Sequence, residues 1–239
     1  MTLYVHFVRH GEVASHQGDV AITEDGAKFA RKIGASLGEK IMNREKVTFL
    51  YASTNRTRQT AEMLRHGILV KLQEREFEDV VLSEPMVEDA IRNPDIYLGG
   101  LRVEMVSTPE ALAEQTKSVG LHVNHVKKVP FWPQFWESPD RIGYWLGLDN
   151  PPGENTLTVA RRLMKFAESL ETLPGEETRR FICVTHSPVL RAFLNTYLLK
   201  KDLGEPEYCE SIDMIYESDG SCTIHYRDFI KTTNIYQTI

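Results

Sequence analysis

Two apolar runs lie far apart in this 239-residue chain, and each one ends on a histidine. Tyr4-Val5-His6-Phe7-Val8 leads into Arg9-His10-Gly11-Glu12, and Arg180-Phe181-Ile182-Cys183-Val184-Thr185 leads into His186-Ser187-Pro188. Short, β-branched apolar runs of this kind predict buried strands. Gly11 lets the backbone turn sharply without shielding the imidazole of His10. Ser187 suits a helix N-cap and Pro188 a first helical position, so a helix is expected directly after His186. Open α/β sheets bind ligands at the carboxyl ends of their strands. A histidine placed there can be a nucleophile, a general base or a metal ligand, whereas a structural Arg-His pair would only satisfy loop carbonyls.

The segments between these strands complete an α/β pattern. Thr23 reads as an N-cap, and Ala27, Ala30, Ile33, Leu37 and Ile41 recur at helical spacing, predicting an amphipathic helix over about 24–42. Gly26, Gly34 and Gly38 would let it pack closely on a sheet. Strands are expected at 47–52 and 79–82, and a short helix at 109–117. The strongest helix opens at Gly153-Glu154-Asn155-Thr156 and is ended by Pro174-Gly175. The helix after His186 runs to about Leu199, and 213–216 with 222–226 form a hairpin about Ser218-Asp219-Gly220. This alternation predicts a mainly parallel central sheet with the hairpin supplying antiparallel edges. The irregular stretch from about 83 to 150 holds all three tryptophans. Its aromatic patch, Phe131 to Trp136 with Tyr144-Trp145, could line a pocket, form a subunit contact or fill the core of a cap.

Charge narrows the function. With 34 acidic against 28 basic residues, net −6, the chain is a poor general ligand for nucleic acid or an anionic membrane. Any anion must then be held by a local cluster of cations. One is suggested at Ser53-Thr54-Asn55-Arg56-Thr57-Arg58, where a strand ends and a helix starts with arginines in its first turn. Cations favour the opposite end of a helix, so an anion at this N-terminus would account for Arg56; Arg58 reads as a solvated charge. Two histidines, Arg9 and Arg56 converging on one sheet edge would make a receptor for a dianionic phosphoryl group. The same arginines would repel a divalent cation, and neither HExxH, CxxC nor a Walker-type loop occurs. His122 and His125 have a ligand-like spacing but stand alone. Three scattered cysteines fit a reducing, cytoplasmic compartment, as does the lack of a signal-like or membrane-length apolar run.

Arg9-His10-Gly11-Glu12, the Arg56-x-x-Gln59-Thr60-Ala61 segment, Gly153-Glu154-Asn155 and Thr185-His186-Ser187 resemble, in order and spacing, the histidine phosphatase superfamily of phosphoglycerate-mutase-like proteins. The resemblance implies a three-layer α/β/α sandwich, one domain over 1–239 with a cap inserted at about 83–152, and metal-free, cofactor-free chemistry through a phosphohistidine. His10 would be the nucleophile, its tautomer fixed by a hydrogen bond from the other ring nitrogen to a backbone carbonyl. Arg9, Arg56 and His186 would hold the phosphoryl oxygens, with Ser187 and His16 as further substrate contacts. Glu88 would be the general acid and base, with Glu84 and Asp89 as rivals. The mutase branch continues its first motif with Ser-x-Trp-Asn, where this chain has Val13-Ala14-Ser15-His16. That departure implies a phosphomonoesterase acting on a phosphorylated small molecule or a phosphopeptide. A phosphoglycerate-type mutase and a non-catalytic phosphate-binding module are the alternatives, and a homodimer is compatible with the aromatic patch.

Overall fold

Capping and apolar periodicity set most element boundaries. The computed structural model describes residues 2–15 and 18–234. Strand β1 (Leu3–Arg9) is followed by α1 (Glu24–Lys40), which starts where the Thr23 hydroxyl accepts from the Gly26 N–H at 2.9 Å. Next come β2 (Lys46–Tyr51), α2 (Asn55–Glu74) and the two-residue strands β3 (Val81–Leu82) and β4 (Met86–Val87). The inserted region holds a hairpin, β5 (Ile96–Leu98) and β6 (Leu101–Val103), and short helices α3 (Pro109–Gln115), α4 (Val123–Val126), α5 (Phe131–Glu137) and α6 (Arg141–Leu146). Helix α7 (Thr156–Ser169), capped by Asn155, leads to β7 (Arg179–Thr185) and α8 (Ser187–Phe193), which loosens into π-helical turns over 194–199. Strands β8 (Ser211–Tyr216), β9 (Ser221–Tyr226) and β10 (Phe229–Asn234) close the described chain.

The main sheet has the order β10-β9-β8-β1-β7-β2-β3, with β4 also paired to β2. Its β1, β7, β2, β3 and β4 members are parallel, and helices cover both faces, giving the expected layered α/β architecture. The register sets Arg9 beside Thr185 and Val184 beside Tyr51. His10, His186 and the start of α2 therefore leave the sheet at one edge.

Two expectations change, and one open alternative is decided. The carboxyl-terminal hairpin is not at the edge: β8 lies antiparallel beside β1, and a third strand, β10, forms the border. Of the α1 glycines, Gly34 and Gly38 serve helix–helix rather than helix–sheet contact, while Gly26 lies against the Glu12 backbone after β1. A side chain at Gly34 would overlap the Leu64 carbonyl, and one at Gly67 of α2 would overlap that of Arg31. The aromatic patch is core: Trp132 and Trp145 are fully buried, in one apolar cluster with Phe7, Met164 and Phe193. The inserted region thus shares its interior with the sheet and its helices. It is seamed to the start of α7 by Tyr97 N–H to the Pro152 carbonyl and Glu154 N–H to the Asp95 carbonyl, both 2.7 Å. At that seam Gly153, with φ +153°, lies so near the Asp95 carbonyl that no Cβ would fit.

A polar network is buried on the α1 side of the same strands. Arg180 Nε donates to Glu45 Oε1 at 2.5 Å, and its Nη1 lies 2.7 Å from His6 Nε2. Guanidinium only donates, so Nε2 accepts and the ring proton sits on Nδ1, which faces Asp213 Oδ1 at 2.8 Å. The Ser211 hydroxyl donates to the same oxygen, and Arg180 covers the Tyr4 ring at 4.2 Å. Burial would raise the Asp213 carboxyl, but His6 and the Ser211 hydroxyl outweigh it and hold it well below the usual carboxylate range.

Candidate active site

Where β1 ends, Arg9 is 8 % exposed and held from three directions. Its guanidinium donates to the Pro206 carbonyl, stands 3.3 Å from Glu205 and lies over the Tyr208 ring at 4.4 Å. His10 Nδ1 is 2.8 Å from the Gly11 carbonyl. That oxygen can only accept, so the proton belongs on Nδ1 and the lone pair on Nε2. The Gly11 N–H donates to Thr60 Oγ1 at 2.8 Å, tying the turn to α2. Because β1 and β7 are neighbours in register, the rings of His10 and His186 come within 5.4 Å of each other, centroid to centroid, inclined at 64°.

Arg56 enters from the first turn of α2, with Nη1 3.4 Å from the Gly18 carbonyl. Burial lowers its pKa while Glu104 and Asp19 act the other way; an arginine stays charged throughout. Ser187, at the start of α8, is 5 % exposed and its hydroxyl has no hydrogen-bond partner among the described residues. These five residues, Arg9, His10, Arg56, His186 and Ser187, line one cavity of about 1200 Å³. The structure thus brings together the two histidines and two arginines that the sequence singled out. His16 lies outside the described residues.

Glu88 is at the same sheet edge, directly after β4, where its Oε1 accepts from the Ala90 N–H at 2.9 Å. It is not among the residues lining the cavity. Its rivals are engaged elsewhere: Glu84 pairs with Arg65 at 2.6 Å and Asp89 with Arg92 at 3.2 Å. Arg58 is exposed and bound to Glu62 and Asn55. His125 accepts from the His122 N–H and so closes the start of α4. Among the described residues no group of three or more His, Cys, Asp and Glu side chains converges as metal ligands do.

Sequence reasoning missed the cavity's second wall. Arg191, 1 % exposed, binds Asp140 of the inserted region at 2.5 Å, Glu205 at 2.9 Å and Asp202. Glu205 thereby joins Arg9 to Arg191, and Arg191 joins α8 to α6. The available signal was a charged residue inside the apolar pattern of the helix after His186. Glu205 and the other residues of this wall belong to stretches with no recognisable pattern.

A sequence model described as histidine phosphatase superfamily (branch 1) matches residues 5–81. Among solved structures, one described as mycobacterial hydrolase 1 is 16 % identical, with 98 % of this chain and 99 % of that chain covered and a TM-score of 0.52. Phosphoglycerate mutase from Bacillus anthracis is 15 % identical over 94 % and 92 % of the two chains, with a TM-score of 0.51. A mycobacterial glucosyl-3-phosphoglycerate phosphatase is 15 % identical over 91 % and 92 %, with a TM-score of 0.50. At such identities the likeness establishes the fold. No curated protein matches the chain in sequence. The stretch 5–81, which spans the Arg-His-Gly-Glu turn and the Arg56 helix start, is thus similar to the histidine phosphatase superfamily, and the fold is shared with these structures over nearly the whole chain.

Proposed function

We propose that the protein is a phosphomonoester hydrolase that works without a metal through a phosphohistidine on His10. The observation that carries this reading is a histidine with its lone pair assigned to Nε2, set beside a second histidine and two arginines in one cavity. In the first step Nε2 of His10 attacks phosphorus, the ester P–O bond breaks, and an acid protonates the leaving alcohol. Arg9, Arg56 and His186 stabilise the charge on the equatorial oxygens, and the Ser187 hydroxyl supplies a further hydrogen bond. In the second step the same carboxyl group, now ionised, takes a proton from water, which attacks the phosphohistidine and breaks its P–N bond. Glu88 is assigned this role because it follows β4 at the edge where both histidines emerge, the place after the strand at which the resemblance puts the acid.

The neighbours carry both a phosphatase and a mutase name, so the experiment must separate transfer to water from transfer to a second hydroxyl. Brief exposure to a labelled aryl phosphate should trap an acid-labile, base-stable phosphoenzyme that is absent from His10→Ala, and steady turnover should release free phosphate. Conversion of 3-phosphoglycerate into its 2-phospho isomer, without phosphate release, would replace the hydrolase by a mutase. Phosphate binding with neither turnover nor a trapped intermediate would leave only a binding module.

A further inference from the structure

The cavity lining combines apolar side chains, among them Met105, Val106, Phe135 and Ile142, with hydrogen-bond acceptors. Asn93 is one of these. Its amide nitrogen donates to Glu104 Oε2 at 2.8 Å, which fixes its orientation and leaves Oδ1 buried with no hydrogen-bond partner. Glu104, Glu114 and Asp19 line the same cavity, and the cations of the lining are Arg9, Arg56 and Arg141. Glu104 and Asp19 both act on Arg56. A phosphoryl dianion held by Arg9 and Arg56 would take over that positive charge and leave the two carboxylates without it. The phosphate end is marked independently by the buried, unpartnered hydroxyl of Ser187.

We infer that the substrates of this site are phosphomonoesters whose leaving alcohol carries an ammonium group on an apolar or aromatic frame, and that Glu104 is the residue selecting that charge. The inference rests on the phosphoryl-binding role proposed above. The apolar residues take the frame, while Glu104 and Asn93 Oδ1 accept from the ammonium N–H groups. A leaving group with a second anion, such as a phosphoglycerate or a bisphosphate, would instead place its charge against Glu104 and Asp19.

The test uses the whole protein and a matched pair of substrates, 4-(aminomethyl)phenyl phosphate and 4-(carboxymethyl)phenyl phosphate. The expected result is a kcat/KM preference of about tenfold for the ammonium ester, expressed mainly in KM and reduced about fivefold by Glu104→Gln. Taking the ratio of the two esters within each variant removes their different intrinsic reactivities. Equal or reversed preference in the wild type would overturn the inference, and so would a preference that Glu104→Gln leaves unchanged. Calorimetric affinities of the corresponding non-hydrolysable phosphonates give the same comparison without turnover. An ammonium preference in binding with no His10-dependent hydrolysis would uphold the selectivity and defeat the hydrolase; hydrolysis without selectivity would do the reverse.

Discussion

Strands β1 and β7 carry two sets of histidines and arginines, and the sets differ in what surrounds them. The inner set, His6 and Arg180, is closed: Arg180 donates to Glu45 and to His6 Nε2, and the other ring nitrogen of His6 faces Asp213. The outer set, Arg9, His10, Arg56 and His186, faces a cavity of about 1200 Å³. Arg9 has partial compensation from Glu205, yet the Ser187 hydroxyl beside the histidines has no partner. The same residue types, further along the same strands and joined by Arg56 from α2, move from a buried network to the wall of a cavity. The difference lies in the open space beside the outer set, not in the histidines themselves.

This contrast can be broken most directly by exchanging roles. His10→Ala should lower aryl phosphate turnover at least about a thousandfold, because the covalent route is lost. A variant that keeps near wild-type kcat would remove His10 from the chemistry. Glu45→Ala should do the opposite, costing about 3–5 kcal/mol of stability in urea unfolding by leaving Arg180 buried without its partner. The kcat of its folded fraction should stay within about twofold of wild type. Ser187→Ala, next in size, should reduce kcat/KM about five- to tenfold, the worth of one hydrogen bond to a charged group. Its melting temperature should hardly move, since that hydroxyl bonds nothing in the protein. The smallest effect concerns acid. The native Asp213 carboxyl is held below its unfolded value, so its stabilisation is complete above about pH 4 and lost as pH falls further. Asp213→Asn should therefore show a flatter decline of melting temperature below that pH than the wild type.

The strands, the principal helices and the outer set were legible because their signals are local. Thr23 and Asn155 mark helix starts by their side-chain chemistry, and His10 and His186 follow β-branched runs that can only be buried. The inner set was not legible, since Arg180 and His6 stand 174 residues apart and neither lies in a motif. Strand β10 escaped because Phe229–Asn234 borders the sheet, with Phe229 and Ile230 exposed, and so has no alternating pattern to betray it. The cavity's second wall comes from the inserted region and the loop before β8, where short helices and turns are set by tertiary contacts. Glu104, Glu205 and Tyr208 acquire their places only when those segments fold against the sheet.

The shared interior of the inserted region and the sheet carries a consequence for how such a scaffold can diversify. Trp132 and Trp145 pack in one continuous cluster with Phe193 and Met164, and Gly153 has no room for any larger residue at the join. Grafting a foreign insert between β4 and α7 would tear open the interior rather than swap a lid. New specificities are therefore open to this scaffold by changing single wall positions such as Glu104, and closed to it by exchanging whole modules.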